Sequence, residues 1–507
     1  MDKTLLGNIQ LIPLKAKPET VSSFYFAEKV MYIYEGRNRR NFTAICQMNF
    51  GRKVIFTNVK AIDRSNIIEE LGKALPIHDQ NSDEINYLDR YYRGDAPIYY
   101  RTKEVRPEIN NRVHINLSIP LVEMKVSEMA SEPIQYVLLG IDEEKSKQVV
   151  RLNKILENEN KQEVDIEICR WRSICGTAYR YIGNTEERFN PTSSFYLDSC
   201  DPRNTFVVYY SDNKQPAFSV QERFDENNNK IYWIYTQSEC FVIKGGEIVE
   251  EVINGRGYIP VVEYPNNARR LSDIEITIGI NDVIDTLASD RENGVEQFVA
   301  SFIKFVNCEI DEELFKKMRN EGALVVKSNN GSENKADVDL LTQELNQTEA
   351  QSVMDDLFNK FLVIQGLANR QGNTGGDTMG AVELRNGYKD SENRAELSEP
   401  IFKKAERQFL AILLKQLRIK EHIDLETIDI EIKVSRNKND NMLVKAQTLQ
   451  MLLASGIYYP RAIKAVGMFS DPEQVAVESA DRMAILYPTE QTEQTEKPNE
   501  VIEVEDV

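Results

Sequence analysis

The chain has 507 residues, 41% hydrophobic and 28% charged, with a formal net charge of -19; that length exceeds one core, so two or more packed regions are expected. The acidic balance argues against broad attachment to nucleic acid, which needs Lys and Arg to neutralise phosphates. Six scattered cysteines without a CxxC pair and only three histidines argue against a zinc site, and no apolar run approaches the roughly 18 residues of a membrane helix.

Taken in chain order, residues 1–60 carry ten Lys/Arg against four acids, a net of +6, and read as short strands around "EGRNRRN". The N-terminus is too polar for a signal peptide, which points to a cytosolic origin. Residues 84–116, "EINYLDRYYRGDAPIYYRTKEVRPEINNRVHIN", hold five tyrosines and six Lys/Arg. Arg90, Arg93, Arg101, Lys103, Arg106 and Arg112 are opposed by Glu84, Asp89, Asp95, Glu104 and Glu108, so the stretch is nearly neutral. Interleaved signs with tyrosines suit packing and ion pairing better than a phosphate-binding stripe.

Residues 195–264 alternate β-rich runs with turn chemistry, which predicts an antiparallel meander. Beyond "YPNNARRLSD", Ile280, Val283, Ile284, Leu287, Ala288, Val295, Phe298, Val299 and Phe302 recur at three-to-four spacing. This predicts a helix over 273–303, about 45 Å long at about 1.5 Å per residue. A mixed stretch of two strand-like ends around a short helix follows. "TEAQ" at 348–351 then fits a capping box with Thr348 as N-cap, opening a helix with Val353, Met354, Leu357, Phe358, Phe361 and Leu362 on one face. The glycine-rich "ANRQGNTGGDTMG" separates it from another long helix marked by Leu397, Ile401, Ala405, Phe409, Leu413 and Leu417, with a kink expected at Pro400. A short strand in "IDIEIKVS" and several helices complete the fold, and 490–507 reads as an acidic, disordered tail.

Catalytic signatures are not found. "GNTGGDTMG" lacks the Lys-Ser/Thr pair that a Walker loop needs at phosphate and magnesium, so it reads as a connector between helices. There is no G-x-S-x-G or H-E-x-x-H, and pairs such as Asp337 with Asp339, or Asp355 with Asp356, are what 81 acids produce by chance.

The segment 87–137, with its tyrosine-rich helix, glycine turn before "PI", "N-R-V-x-x-N" element and closing "EPIQY", resembles the opening signature of tailed-bacteriophage portal proteins of the long-tailed, Gram-positive-host branch. The likeness continues at 257–290, 369–413 and the helical end. It implies an α+β portal fold with a mixed wing, long-helix stem, small clip and helical crown, assembled as a ring, usually of twelve subunits. The wing would span 61–271, the stem 272–302 and 348–366, the clip 303–347 and the tunnel loop 367–378. The long kinked helix of the wing would be 379–418 and the crown 419–488, with the tail from 489. It assigns no role to basic residues 1–60.

The same resemblance implies a DNA channel at one capsid vertex of the virion, assembled in the host cytoplasm. Its loop would be Asn369, Arg370, Gln371, Gly372, Asn373, Thr374, Gly375, Gly376, Asp377 and Thr378. The clip would present Glu312, Glu313, Lys316, Lys317 and Arg319 to partners. Expected partners are further copies of the chain, duplex DNA, the terminase large subunit, a head-tail adaptor, and the major capsid and scaffolding proteins, with no cofactor, no metal, no membrane and no enzymatic activity. Two alternatives stay open: a connector without a role in DNA passage, and a packaging enzyme.

Overall fold

The computed structural model describes residues 51–103, 107–140, 142–184, 195–299, 302–306, 313, 337–341, 347–367, 388–434, 442–469, 472–480 and 482. The fold is mixed α+β, as expected. In chain order its elements are β1 (Ile55–Thr57), α1 (Ile67–Tyr92), α2 (Ser118–Ala130), β2 (Gln135–Leu138), α3 (Glu143–Asn158), α4 (Lys161–Cys175), β3 (Thr177–Asn184), β4 (Phe195–Cys200), β5 (Thr205–Tyr210), β6 (Pro216–Phe224), β7 (Lys230–Tyr235), β8 (Glu239–Lys244), β9 (Glu247–Ile253), β10 (Val261–Pro265) and α5 (Ile278–Val299). There follow β11 (Phe302–Val306), β12 (Asp337–Leu341), α6 (Gln347–Gln365), α7 (Tyr388–Lys420), β13 (Ile430–Lys433), α8 (Met442–Ala454), α9 (Tyr459–Val466) and α10 (Pro472–Glu478).

The chain divides into two compact units, the first made of 1–124, 170–179 and 200–401, the second of 125–169, 180–199 and 402–507. In the first unit the expected meander is present: a six-stranded sheet in the order β1-β5-β6-β7-β8-β9. β5 through β9 pair antiparallel, and β1 joins β5 in parallel. Burial alternates in β8, where Phe241 and Ile243 are buried, as period-two patterning requires, whereas β5 and β6 are buried on both faces, with Phe206, Val207 and Val208, and Ala217, Phe218 and Val220, all buried. β1 is the edge strand opposite β9 although it falls within the basic stretch 1–60, and Arg52, one of the ten cations of that stretch, is buried against Glu84 and Glu275.

α5 and α6 pack on each other. Arg291 Nη1 donates to Gln351 Oε1 (2.6 Å), while Gln365 Nε2 donates to Thr277 Oγ1 (2.8 Å) and to the Asp273 carbonyl (2.6 Å). The partner numbers run in opposite directions, so the helices are antiparallel, and Leu121, Phe361 and Leu367 form a small core beside them with Ile280 and Leu362.

α5 is shorter than the periodicity predicts, 22 residues or about 33 Å. At its start, Ser272 N–H donates to Glu275 Oε2 (2.7 Å) and Ile274 N–H donates to Ser272 Oγ (3.0 Å); such local bonds hold the backbone in turns rather than helix. At its end, Phe302 is in β11, whose pairing with β12 takes over the backbone groups. α6 begins at Gln347, so Thr348 lies inside the helix and is not its cap.

In the second unit β2 and β13 form an antiparallel pair, Ile430 opposite Leu138 and Lys433 opposite Gln135. The later part of α7 buries Phe402, Ala405, Phe409, Leu410, Leu413, Leu414 and Leu417, spacing that keeps them on one face. Leu397 departs from the expected stripe: it is 76% exposed. Pro400 does lie inside the helix.

Candidate functional site

Two of the family-like segments, 87–137 and 257–290, meet at α5. The chain enters it through 266–277, held from two sides. Gly51 has φ +86 and Gly176 φ +83, and a Cβ on either would collide with the Arg269 or Arg270 carbonyl; only glycine allows that approach at positive φ. Arg52 N–H donates to the Arg270 carbonyl (3.1 Å), and Ser272 Oγ donates to the carbonyls of Ser173 (3.0 Å) and Ile174 (2.7 Å).

Along α5 itself the buried line is polar: Asn281, Asp285, Ser289 and Asn293, each 2% exposed or less and each four residues from the next. Spacing of four stacks side chains on one helix face. Against this face lies the extended strap Asn111–Asn116. Asn111 N–H donates to Asn293 Oδ1 (2.7 Å), Val113 N–H to Ser289 Oγ (2.9 Å) and Ile115 N–H to Asp285 Oδ1 (2.8 Å). Two residues of extended chain advance about 6.6 Å and four residues of helix about 6 Å, so the two repeats stay in step for three contacts.

The same register settles the side chains. His114 Nδ1 donates to Asp285 Oδ2 (2.6 Å), Asn111 Nδ2 to Glu296 Oε2 (2.7 Å), and Asn116 Nδ2 to the Tyr92 carbonyl (2.9 Å). Asn116 Oδ1 accepts from the Ser118 N–H (3.0 Å) at the start of α2. The ladder ends at Asn281, whose Nδ2 donates to Tyr91 Oη (3.0 Å), while that hydroxyl donates to Asp282 Oδ1 (2.9 Å). Burial pushes the Asp282 carboxyl up to about 6; the Tyr91 hydrogen bond opposes this and repulsion from Asp285 adds to it.

The tyrosine-rich stretch is therefore a packed element. Arg90 Nε reaches Asp95 (2.8 Å), Arg93 reaches Asp89 (3.0 Å), Arg101 and Lys103 reach Asp290 (3.0 and 3.5 Å), and Arg112 donates to the Tyr99 carbonyl (2.7 Å). Arg106 lies outside the described residues. Sequence reading of α5 followed the apolar positions, of which Ile284 and Ala288 are buried but Val283 and Val295 are 47% and 45% exposed. It passed over the polar ladder, whose signal was four small polar residues at a constant spacing of four.

Of the site residues expected from sequence, Glu313 is exposed in a helical position. Glu312, Lys316, Lys317 and Arg319 of the clip, and Asn369, Arg370, Gln371, Gly372, Asn373, Thr374, Gly375, Gly376, Asp377 and Thr378 of the loop, lie outside the described residues. No group of three or more His, Cys, Asp or Glu able to hold a metal ion occurs among the described residues, and no described helix is long and apolar enough to cross a membrane.

No curated protein matches the chain. Among solved structures it is similar to chains titled "Neck of empty GTA particle computed with C6 symmetry" and "Neck of native GTA particle computed with C12 symmetry", each at 11% identity, TM-score 0.41 and 69% of this chain, covering 90% and 89% of the other. The family model described as "Phage portal protein, SPP1 Gp6-like" matches residues 71–484. That match takes in the strap, α5, α6 and α7, and the chain belongs to the SPP1 Gp6-like phage portal protein family.

Proposed function

We propose that copies of this chain close into a ring at the capsid portal vertex, usually of twelve subunits, through which duplex DNA is packaged by the terminase and later leaves. The observation that carries this reading is the α5–α6 pair. One face is fixed by the ladder and its small core, while Val283, Val295, Val353 (50% exposed) and Val363 (72% exposed) stand outside. Repeated heterologous packing of such faces closes a ring when the rotation allows. β11 and β12 join the pair at one end, where α5 finishes and α6 begins, and residues 367 onward leave from the other. In this reading partner docking belongs to 303–347, between the two helices in sequence, and DNA contact to 369–378, after α6.

In this reading the clip, through Glu312, Glu313, Lys316, Lys317 and Arg319, docks the terminase large subunit and then the head-tail adaptor. The loop touches DNA through short-lived polar contacts, since its charges, Arg370 and Asp377, cancel and give no multi-phosphate grip. Capsid and scaffolding proteins surround the ring. The portal family is structural, and the chain's part is that of a conduit, with ATP hydrolysis left to the terminase.

Native mass measurement of the purified chain tests the ring: a closed oligomer is expected, and a monodisperse monomer at micromolar concentration across several salt conditions would overturn it. Arg370→Glu tests the channel, because the added repulsion matters only if phosphates pass within about a Debye length, roughly 8 to 10 Å. Packaging should fall while the ring persists; unchanged packaging would count against the loop's role.

A further inference from the structure

The six-stranded sheet ends in β9, an edge with an unusual composition. Its sequence, Glu247–Ile253, contains three glutamates and no lysine or proline. Val249, Val252 and Ile253 are 65%, 51% and 83% exposed, and the pairing to β8 slips between Val242 and Ile243, leaving Val249 as the extra residue of a bulge. Edge strands carry a row of backbone N–H and C=O groups that pair readily with another strand. Proteins blunt them with charge, bulges, Pro or brevity; β9 has acids and a bulge, yet it runs seven residues with exposed aliphatic side chains between the acids.

We propose that β9 is a docking edge for residues 29–40 of the same chain, "KVMYIYEGRNRR". This segment belongs to the basic region to which neither the family match, which starts at 71, nor the portal reading gives a role. Its Lys29, Arg37, Arg39 and Arg40 against Glu35 make +3, and Glu247 and Glu250 of β9 face it with -2, Glu251 being paired with Arg64. Val30, Met31, Tyr32, Ile33 and Tyr34 are strand-forming residues with the apolar surface that Val249, Val252 and Ile253 lack a neighbour for. Reach is sufficient. The described chain starts at 51, and the ten residues between 40 and 51 span up to about 33 Å. β1 is the opposite edge of the sheet, but Arg64, about a dozen residues past that start, pairs with Glu251, so the chain comes back within side-chain reach of β9. Tethering raises the local concentration of the segment to the millimolar range without any new contact.

The competing account is that the three acids only keep the edge from aggregating. The two differ in what charge reversal does: a protective edge works with either sign, a docking edge needs the opposite sign to its occupant.

The test is hydrogen exchange at the amides of 247–253 in the full-length protein. Four forms are compared: unaltered, K29E/R37E/R39E/R40E, E247K/E250K, and both sets combined. The β9 amides should exchange at least tenfold faster in either reversed form, and the combination should restore protection. Equal rates in the unaltered and singly reversed forms, or no rescue in the combination, would overturn the proposal. Tryptophan fluorescence checks that the first unit stays folded in every form. Carbodiimide coupling of Lys29 to Glu247 or Glu250, in mixtures of isotopically light and heavy chains combined before assembly, identifies the source of the segment. Links within one label are expected; light-heavy links would assign the segment to a neighbouring copy and overturn docking within the chain.

Discussion

In the first unit the buried polar side chains of α5 bind backbone; in the second, buried polar side chains bind each other. Lys161, Asp165, Arg180, Glu406 and Tyr136 are all 5% exposed or less. Lys161 Nζ meets Asp165 (2.6 Å) and Glu406 (2.8 Å), Arg180 reaches the same two carboxylates, and Tyr136 Oη donates to Glu406. Arg180 also lies over the Phe409 ring (4.5 Å). Two cations and two anions cancel, which is the condition for burying them at tolerable cost. The ladder carries one main anion, Asp285, and gains its strength from direction rather than from charge.

Breaking the second arrangement should therefore do the most harm. Arg180→Met leaves Lys161 alone against two carboxylates, and an uncompensated buried charge costs on the order of 3–5 kcal/mol. Hydrogen exchange along 402–420 should lose most of its protection. Adding Asp165→Leu restores one cation to one anion, and the double variant should be more stable than the single one. A double variant less stable than Arg180→Met would show that the cluster is held by geometry, like the ladder.

Asp285→Ala should cost less, roughly 2–3 kcal/mol, because it orphans the Ile115 N–H and the His114 ring without stranding a buried cation. Trp171 and Trp233, the chain's two tryptophans, both lie in the first unit, so fluorescence melting reads this loss with no contribution from the second unit. If the ladder works as a unit, Asp285→Ala and Ser289→Ala will not add.

Acid should act in opposite senses through Asp282 of the first unit and Glu406 of the second, where Asp165, raised by burial, works against Glu406. Asp282 is raised from 3.8 to about 6, so between those values the folded first unit binds a proton more readily than the unfolded chain. Its contribution to stability should rise as pH falls through that window, and Asp282→Asn should remove that part of the slope. For Glu406 burial alone would raise the carboxyl, but Lys161 and Arg180 outweigh it and hold it at about 2, from 4.5. Its contribution is full above 4.5 and should be lost as pH falls toward 2.

Legibility in the sequence follows the same division. The meander, α6, α7 and the β13 strand were readable because period-two and three-to-four patterns act over neighbouring residues. The strap motif was noticed as "N-R-V-x-x-N", but its partner was missed, since reading it requires treating Asn281, Asp285, Ser289 and Asn293 as a buried face. The charge cluster was not legible at all: Asp165 and Glu406 are separated by nearly half of the chain, and no local pattern distinguishes them from the other acids. Arg52 escaped notice for that reason: it is one of ten cations in the basic stretch, and its two carboxylate partners come from α1 and from the entry to α5.

The smallest expected effect concerns the rim of the ladder, where Asp290, half exposed, pairs with Arg101 and Lys103. Pairs this exposed contribute about 0–1 kcal/mol, so Asp290→Asn should leave fluorescence melting nearly unchanged. Its value lies in a second measurement. Were the tyrosine-rich stretch a phosphate-binding surface held in check by its acids, freeing two cations would strengthen retention on duplex DNA at low salt, with a steeper salt dependence. If the stretch is a strap bound to α5, retention should not change, because Arg90, Arg93 and Arg112 stay engaged with Asp95, Asp89 and the Tyr99 carbonyl. A gain in DNA binding without a loss of stability would assign this stretch to the channel surface.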